Sequence, residues 1–414
     1  MPNLKSSFLK NILTLFTGSI MSQVILLGIS PILTRLYKPS DFGEYAFYLS
    51  IVTILSVAAT GRYDLAIMIA EDDEKADATT LLSLTISAIF GTILFILAFL
   101  SKNILFLNRY QNLLLLSSFH IALIGFYNTF YHRLNRYGKF KTISVLMIIQ
   151  STVVALYQLS LGVIDPSSIH LIIGTILGVF VAVMIILFIE KIDTIIKSKH
   201  LFIKMAKRFI NFPKFDLWAG LFNIGFQQLP VIIITSFFGT INAGYFSLTQ
   251  RVLQTPVSLI GGSILGAFRQ KAVEHFREFG ECKTLFLKLM KFMFFIGLPP
   301  TIIILIFGKE LFVLVFGKDW RDAGLFSQIL VLTFLIRFVT SPLSYLFYIA
   351  ERQSWNLIGQ FMFIIVTIIS FGIGYYFNSI IIGLSIYSAG NFVLYALYLY
   401  ISYLFSKGLY VNKS

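Results

Sequence analysis

Three things are scarce in these 414 residues: charge, cysteine and any segment polar enough to fold in water by itself. Charged residues make up 13% of the chain, against about 25% in ordinary soluble domains. One cysteine, Cys282, excludes an intrachain disulfide framework and any cysteine-based metal cluster. The five histidines show no ligand spacing such as H-x-x-x-H. No nucleotide-binding motif is present, so neither a cofactor nor ATP is expected. A hydrophobic content of 57% and a mean hydropathy of +0.84 fill the space left by these absences.

What is present is a series of long apolar runs. A hydrocarbon core of about 30 Å needs roughly 20 apolar residues of helix. About twelve such runs recur, near Asn11–Leu33, Phe42–Ala70, Ala78–Leu100, Gln111–His132, Thr142–Gly162 and Ser168–Ile189, then Phe215–Phe238, Ala243–Ala267, Thr284–Phe307, Gly324–Ala350, Trp355–Tyr376 and Ser379–Phe405. The first run is too long for the h-region of a secretory signal and lacks a small-residue cleavage site, so it is expected to be a retained helix. The chain is therefore expected to be an all-α integral membrane protein whose function is carried out in or at the bilayer.

The net charge of +14 follows the loops. With the amino terminus placed inside, twenty-one Lys and Arg fall on inner segments and seven on outer ones. That bias places both termini in the cytoplasm and makes the basic charge a topology signal rather than a nucleic-acid footprint. The most basic inner segment, 191–214, divides the chain into 1–190 and 215–414, six helices each. Its Ile, Leu, Met and Phe alternate with lysines at helical spacing. It reads either as an amphipathic helix on an anionic leaflet or as a plain positive-inside linker. The acidic run Glu71–Glu74 is expected to cap the inner loop after helix 2.

The halves carry a short internal match. At a constant shift of 201, Thr34 falls on Thr235, Tyr37 on Phe238, Asp41 on Asn242, Gly43 on Gly244 and Tyr45 on Phe246. Six is even, so the repeat is parallel: two six-helix lobes related by a pseudo-two-fold axis along the membrane normal.

Arg62, Arg251 and Arg337 fall inside the runs. Each costs roughly 2.5–3.5 kcal/mol if it faces lipid, so each should face a cavity or a partner. Ser247, Gln254, Thr255 and Ser258 share the helical face of Arg251; Thr333, Thr340, Ser341 and Ser344 share that of Arg337. Around Arg62 the face is small: Ala58, Ala59 and Ala66. Carboxylates within the spans are scarce, with Asp64 the clear one and Glu44 and Asp216 near ends. Excess buried positive charge suits an anion, and the guanidinium fork suits phosphate or carboxylate oxygens. The alternative is that each arginine pairs with a carboxylate and only holds the bundle together. Asp64, Gln227, Gln228, Gln250 and Gln254 are candidates for cavity lining or gating, and Pro230 for a helix break. Asp64 is expected to bond another helix or a basic group at the inner gate.

Two blocks carry a family resemblance: LTRLYKPSDFGEYAFYLSIVTILSVAATGRYDLAI (Leu33–Ile67) and FPKFDLWAGLFNIGFQQLPVIIITSFFGTINAGYFSLTQRVLQTPVSLIG (Phe212–Gly261). Both resemble O-antigen and polysaccharide flippases of the multidrug/oligosaccharidyl-lipid/polysaccharide exporter superfamily. The resemblance implies alternating access and an undecaprenyl-diphosphate-linked oligosaccharide substrate crossing a bacterial cytoplasmic membrane. It also implies possible partners in a glycan polymerase and chain-length machinery. A multidrug antiporter of the same superfamily is the alternative, but it would want a carboxylate-rich site. A membrane glycan polymerase is a third reading, set against an outer loop of about 16 residues, Gly308–Ala323, that lacks histidine. Transport rather than enzymatic catalysis is therefore expected.

Overall fold

The structure, a computed structural model, describes residues 2–101, 111–190 and 198–409. Among them every regular element is helical. The first half comprises α1 (Pro2–Gly28), α2 (Ser30–Leu36), α3 (Pro39–Ser56), α4 (Tyr63–Ala66), α5 (Asp73–Leu100), α6 (Gln111–Arg136), α7 (Phe140–Ile164) and α8 (Ser168–Ile189). The second comprises α9 (Phe202–Arg208), α10 (Leu217–Phe279), α11 (Lys283–Phe316), α12 (Arg321–Leu343), α13 (Leu346–Ile349), α14 (Gln353–Tyr376) and α15 (Ile380–Ser406).

Ten stretches of the described residues are long and apolar enough to cross a membrane. One of them runs through α10, whose 63 residues would measure about 95 Å if straight. Gly239 divides it: φ 85° and ψ 167° leave the helical region, a conformation open to glycine without strain. Its two arms, 217–238 and 240–279, are separate crossings. With the eighteen-residue α3, whose first turns carry Asp41 and Glu44, the count reaches the expected twelve. Pro230 does not break its arm, because Gly239 alone departs from helical dihedrals in α10. A proline removes one hydrogen bond, which a long packed helix absorbs.

By their contacts the residues form two units, Met1–Tyr37 with Tyr45–Gln228, and Lys38–Glu44 with Leu229–Ser414. In the first, α1 packs on α7, α5 on α6, α6 on α8 and α7 on α8. In the second, α11 packs on α12, α12 on α15 and α14 on α15. The first arm of α10 meets α14 through Phe237–Tyr375 and Phe238–Phe371, with ring centroids 5.0 and 6.3 Å apart. Advancing the first unit's helix pairs by six crossings reproduces the second unit's pairs. The fold is thus an all-α, two-lobed membrane bundle built on a parallel six-helix repeat. The boundary near Gln228 lies beyond the basic linker because 215–228 packs with the first unit: a Cβ at Gly220 would sit 2.9 Å from Val57.

The basic segment is described from Ser198 onward; its residues 191–197 lie outside the described residues. Helix α9 buries Met205 and Phe209 against Tyr63, Ala66, Ala78 and Leu82. Ile203 and Ile210 remain exposed, as do Lys204 and Lys207. The apolar residues therefore serve two faces, one docked on the protein. The acidic run is a cap and an ion-pair hub. Asp72 accepts from the Lys75 backbone N–H at 2.8 Å, opening α5. Hydrogen bonds from the Lys75 ammonium and the Arg208 guanidinium hold the Glu71 carboxyl below its ordinary range. Cys282 is buried, and burial, reinforced by the neighbouring Glu281 charge, pushes its thiol up to about 12. Such a thiol is inert to labelling reagents at neutral pH.

Candidate functional site

Arg62 does not stand on a helix. After Ser56 the chain turns, and Gly61 (φ 57°) and Arg62 (φ 65°) both take left-handed backbone before α4 begins. For arginine this costs of order 1–3 kcal/mol, sustained only by surrounding contacts. The expected continuous helix over 42–70, and the shared face with Ala58, Ala59 and Ala66, are corrected accordingly. Apolar composition does not stop at this turn, which is why hydropathy passes over it.

Thr60 stabilises the turn. Its hydroxyl donates to Asp64 Oδ1 at 2.7 Å and accepts from the Arg62 backbone N–H at 3.2 Å. Asp64 is 4% exposed, and its other oxygen lies 3.5 Å from His132 Nε2 on α6. Asp64 thus contacts another helix. The Arg62 side chain points away from Asp64 and donates through Nε to Asp216 Oδ2 at 2.7 Å. Its guanidinium lies over Gly220, where a Cβ would meet Cζ at 3.4 Å. Asp216 ends a π-helical turn, Phe212–Asp216, that leads into α10. A charge counted as near a helix end is thus the partner of Arg62.

The other two arginines belong to the second unit. Arg337 is half-buried on α12, its guanidinium 5.7 Å from the Phe334 ring centre. It acts electrostatically on the hydroxyls of Tyr387 and Tyr395 of α15. Two of the four residues of its expected polar stripe bond to α15, while Ser344 donates to the Ser341 carbonyl. Thr333 donates to the Ser388 carbonyl at 2.9 Å and Thr340 to that of Tyr395 at 3.4 Å. Arg251 is half-buried on the second arm of α10 and accepts at its carbonyl from Thr255. Ser247 and Ser258 also donate to their own helix. Gln250 and Gln254 are half-buried on that arm. In the first unit Gln227 is exposed and donates to Asn223 at 3.0 Å, and Gln228 is half-buried. The sequence-derived residues therefore divide between the units: Arg62, Asp64, Gln227 and Gln228 in one, Arg251, Arg337, Gln250 and Gln254 in the other.

A second charged cluster escaped the sequence reading. Arg133, 5% exposed, donates to Asp77 and, at 3.2 Å, to Glu190. Lys139 also reaches Glu190, at 2.5 Å. Arg136 donates to the carbonyls of Ile67 and Ala70. These groups tie α5, α6 and the end of α8 together. Among the described residues no group of His, Cys, Asp and Glu is arranged to hold a metal ion.

Residues 32–324 match the family described as polysaccharide biosynthesis protein. Among solved structures the chain is similar to the lipid II flippase MurJ in an inward closed conformation, at 16% identity and TM-score 0.64, covering 94% of this chain and 87% of that one. It is similar to a MATE transporter in complex with MaL6, at 18% identity and TM-score 0.61, covering 96% and 95%. It is also similar to a Vibrio cholerae MATE transporter, at 14% identity and TM-score 0.53, covering 99% of each. No curated protein sequence matches. With most of its length matched, the chain belongs to the polysaccharide biosynthesis protein family, and it shares its fold with these solved membrane proteins.

Proposed function

We propose that the chain is a flippase that carries a diphosphate-linked lipid oligosaccharide, such as an O-antigen or capsule repeat unit, across a bacterial cytoplasmic membrane by alternating access. The observation that carries this reading is Arg337. It is an arginine within a membrane crossing whose guanidinium lies over the Phe334 ring, and among the described residues no carboxylate pairs with it. Such a charge is expensive in hydrocarbon unless a ligand or water meets it. A diphosphate supplies the bidentate oxygens that its fork fits. Arg251 and Arg62 are assigned the same role, Arg62 held in place through Nε by Asp216. The likeness to a lipid II flippase supports the substrate class. A cationic-drug antiporter fits less well, because Asp64, Asp77, Glu190 and Asp216 are already engaged by protein partners. Glycan polymerase and chain-length proteins are the expected partners.

In a strain whose surface glycan depends on this chain, Arg337→Ala and Arg251→Ala will abolish glycan display at unchanged protein level. Arg337→Lys will restore part of it, since charge remains and the fork is lost. Lipid-linked oligosaccharide will accumulate on the inner leaflet. Normal export by both alanine variants would overturn the assignment.

Both termini are placed in the cytoplasm. A cysteine at Lys318 will react with an impermeant reagent from outside intact cells, and one at Lys199 only after permeabilisation. Outside labelling at Lys199 would reverse the topology.

A further inference from the structure

We infer that Asp64 and His132 form a proton-binding site whose occupancy sets the hold of Arg62 on Asp216. The argument begins with an orphan. Nδ1 of His132 is buried without a hydrogen-bond partner, while Nε2 faces Asp64 Oδ2 at 3.5 Å. A buried N–H with no acceptor costs about 1–3 kcal/mol, and more if charged. The ring in this arrangement is therefore neutral, with its hydrogen on Nε2 directed at an ionised Asp64. The pair carries one negative charge and has room for one proton.

Among the described residues, the charged groups on the elements packed around it are engaged elsewhere. Asp77 of α5 and Glu190 at the end of α8 are both bound by Arg133. From α7, the N-cap residue Lys139 is bound to Glu190. Tyr63 of α4 donates its hydroxyl to Ala206. On α6 itself Tyr131 packs edge-on against the imidazole, ring centroids 5.4 Å apart. Arg62 acts on His132 electrostatically and is held by Asp216.

One proton taken up at Nδ1 turns the His132 ring into an imidazolium, whose Nε2–H forms a charge-assisted bond to the still ionised Asp64. This contact draws the carboxylate toward His132, so the Thr60–Asp64 bond weakens. That bond spans the turn that keeps Gly61 and Arg62 left-handed. Losing it favours release of the strained arginine backbone and swings the guanidinium away from Asp216. The sequence of events is proton, turn, arginine, and Asp216 transmits it to the π-helical entry of α10. Its link to transport rests on the flippase reading; the proton site itself does not.

The full chain in lipid nanodiscs provides the test, with the proton as the only ligand. Histidine-selective nitrogen NMR, with His132→Gln to assign the signal, will show the His132 ring changing protonation state between about pH 5 and 9. In Asp64→Asn the midpoint will fall, because an adjacent carboxylate favours imidazolium. A cysteine placed at exposed Ala219, three residues past Asp216, reports the second step, with Cys282 silent. Its labelling rate, taken relative to that of a free thiol at the same pH to remove the reagent's own dependence on thiolate, will follow pH with the same midpoint in the parent and lose that dependence in Asp64→Asn and in His132→Gln. If one of these variants fails to accumulate, the other carries the comparison. A His132 signal locked in one state in the parent, or labelling whose pH dependence survives His132→Gln, would overturn the proposal. Neither measurement uses a transported glycan, so failure of the flippase reading and failure of this site are separately visible.

Discussion

Alanine at Gly43 or at Gly244 will destabilise the protein by at least about 3 kcal/mol, the upper end of overpacking costs, while alanine at Gly225 will not. Within the second unit the first turn of α3 crosses the start of the second arm of α10 with no side chain between them. A Cβ on Gly43 would lie 1.8 Å from the Thr240 carbonyl oxygen, and one on Gly244 would lie 1.9 Å from that of Pro39. The contact is reciprocal: each glycine faces the carbonyl four residues before the other. Both atoms met are main chain and cannot rotate aside, so the helices must separate. Separation would also pull Phe42 from Trp320, packed edge-to-face at 5.0 Å, and Trp320 is fully buried. At Gly225 a Cβ meets nothing within 4 Å, and alanine there gains up to about 1 kcal/mol of helix propensity. Thermal unfolding in detergent compares the three. If Gly43→Ala and Gly244→Ala melt with Gly225→Ala, the crossing has no energetic weight.

The same glycines show how much of the fold could be read from residues alone. They were one pair in the match at a shift of 201, and the other pairs also occupy equivalent places. Tyr37 packs under Gly162 of α7 and donates to the Gln158 carbonyl at 2.8 Å; Phe238 meets Phe371 of α14. These two helices are the fifth crossings of their halves. Asp41 accepts from the Lys38 backbone N–H, and Asn242 donates to the Phe238 carbonyl. What recurred in sequence was what backbone proximity or backbone bonding constrains, and such constraints admit few residue types. Crossing number was legible for a similar reason, since bilayer thickness sets a length that composition must meet.

The site was less legible because its decisive features leave no mark on composition. The left-handed pair Gly61–Arg62 interrupts a stretch whose mean hydropathy stays apolar, so a window of membrane-spanning length passes over its Thr60, Gly61 and Arg62. The partner of Arg62, Asp216, stands 154 positions away in sequence, and no periodicity reaches that far. The His132–Asp64 contact also joins distant crossings. Polar stripes on one helix did mark real neighbours, but Thr333 and Thr340 use their hydroxyls to grip α15. A stripe records that a helix face meets something polar and leaves open whether that is water or another backbone.

Arg133→Ala will cost about 3–5 kcal/mol, the penalty for leaving buried charges without their partner. This cluster was legible in principle. The apolar runs begin just after Asp77, end just before Arg133 and end just before Glu190. Because successive crossings alternate in direction, those three ends lie at one side of the membrane. Three charges at the same depth on neighbouring helices are candidates to meet. In the structure they do, with Asp77 and Glu190 each 7% exposed. Removing Arg133 strands Asp77, since Arg133 is its ion-pair partner among the described residues. Glu190 keeps Lys139, whose side chain is 42% exposed. Lys139→Ala should therefore cost no more than about 1 kcal/mol, in the range of solvent-exposed pairs. Replacing the buried set together, as Asp77→Leu, Arg133→Met and Glu190→Leu, should recover most of the loss, because well-packed apolar side chains can match a buried ion cluster in stability. Unfolding of the four proteins in one detergent gives the comparison. Equal melting of Arg133→Ala and Lys139→Ala would mean that water reaches the cluster and that its ion pairs add nothing to the joining of α5, α6 and α8.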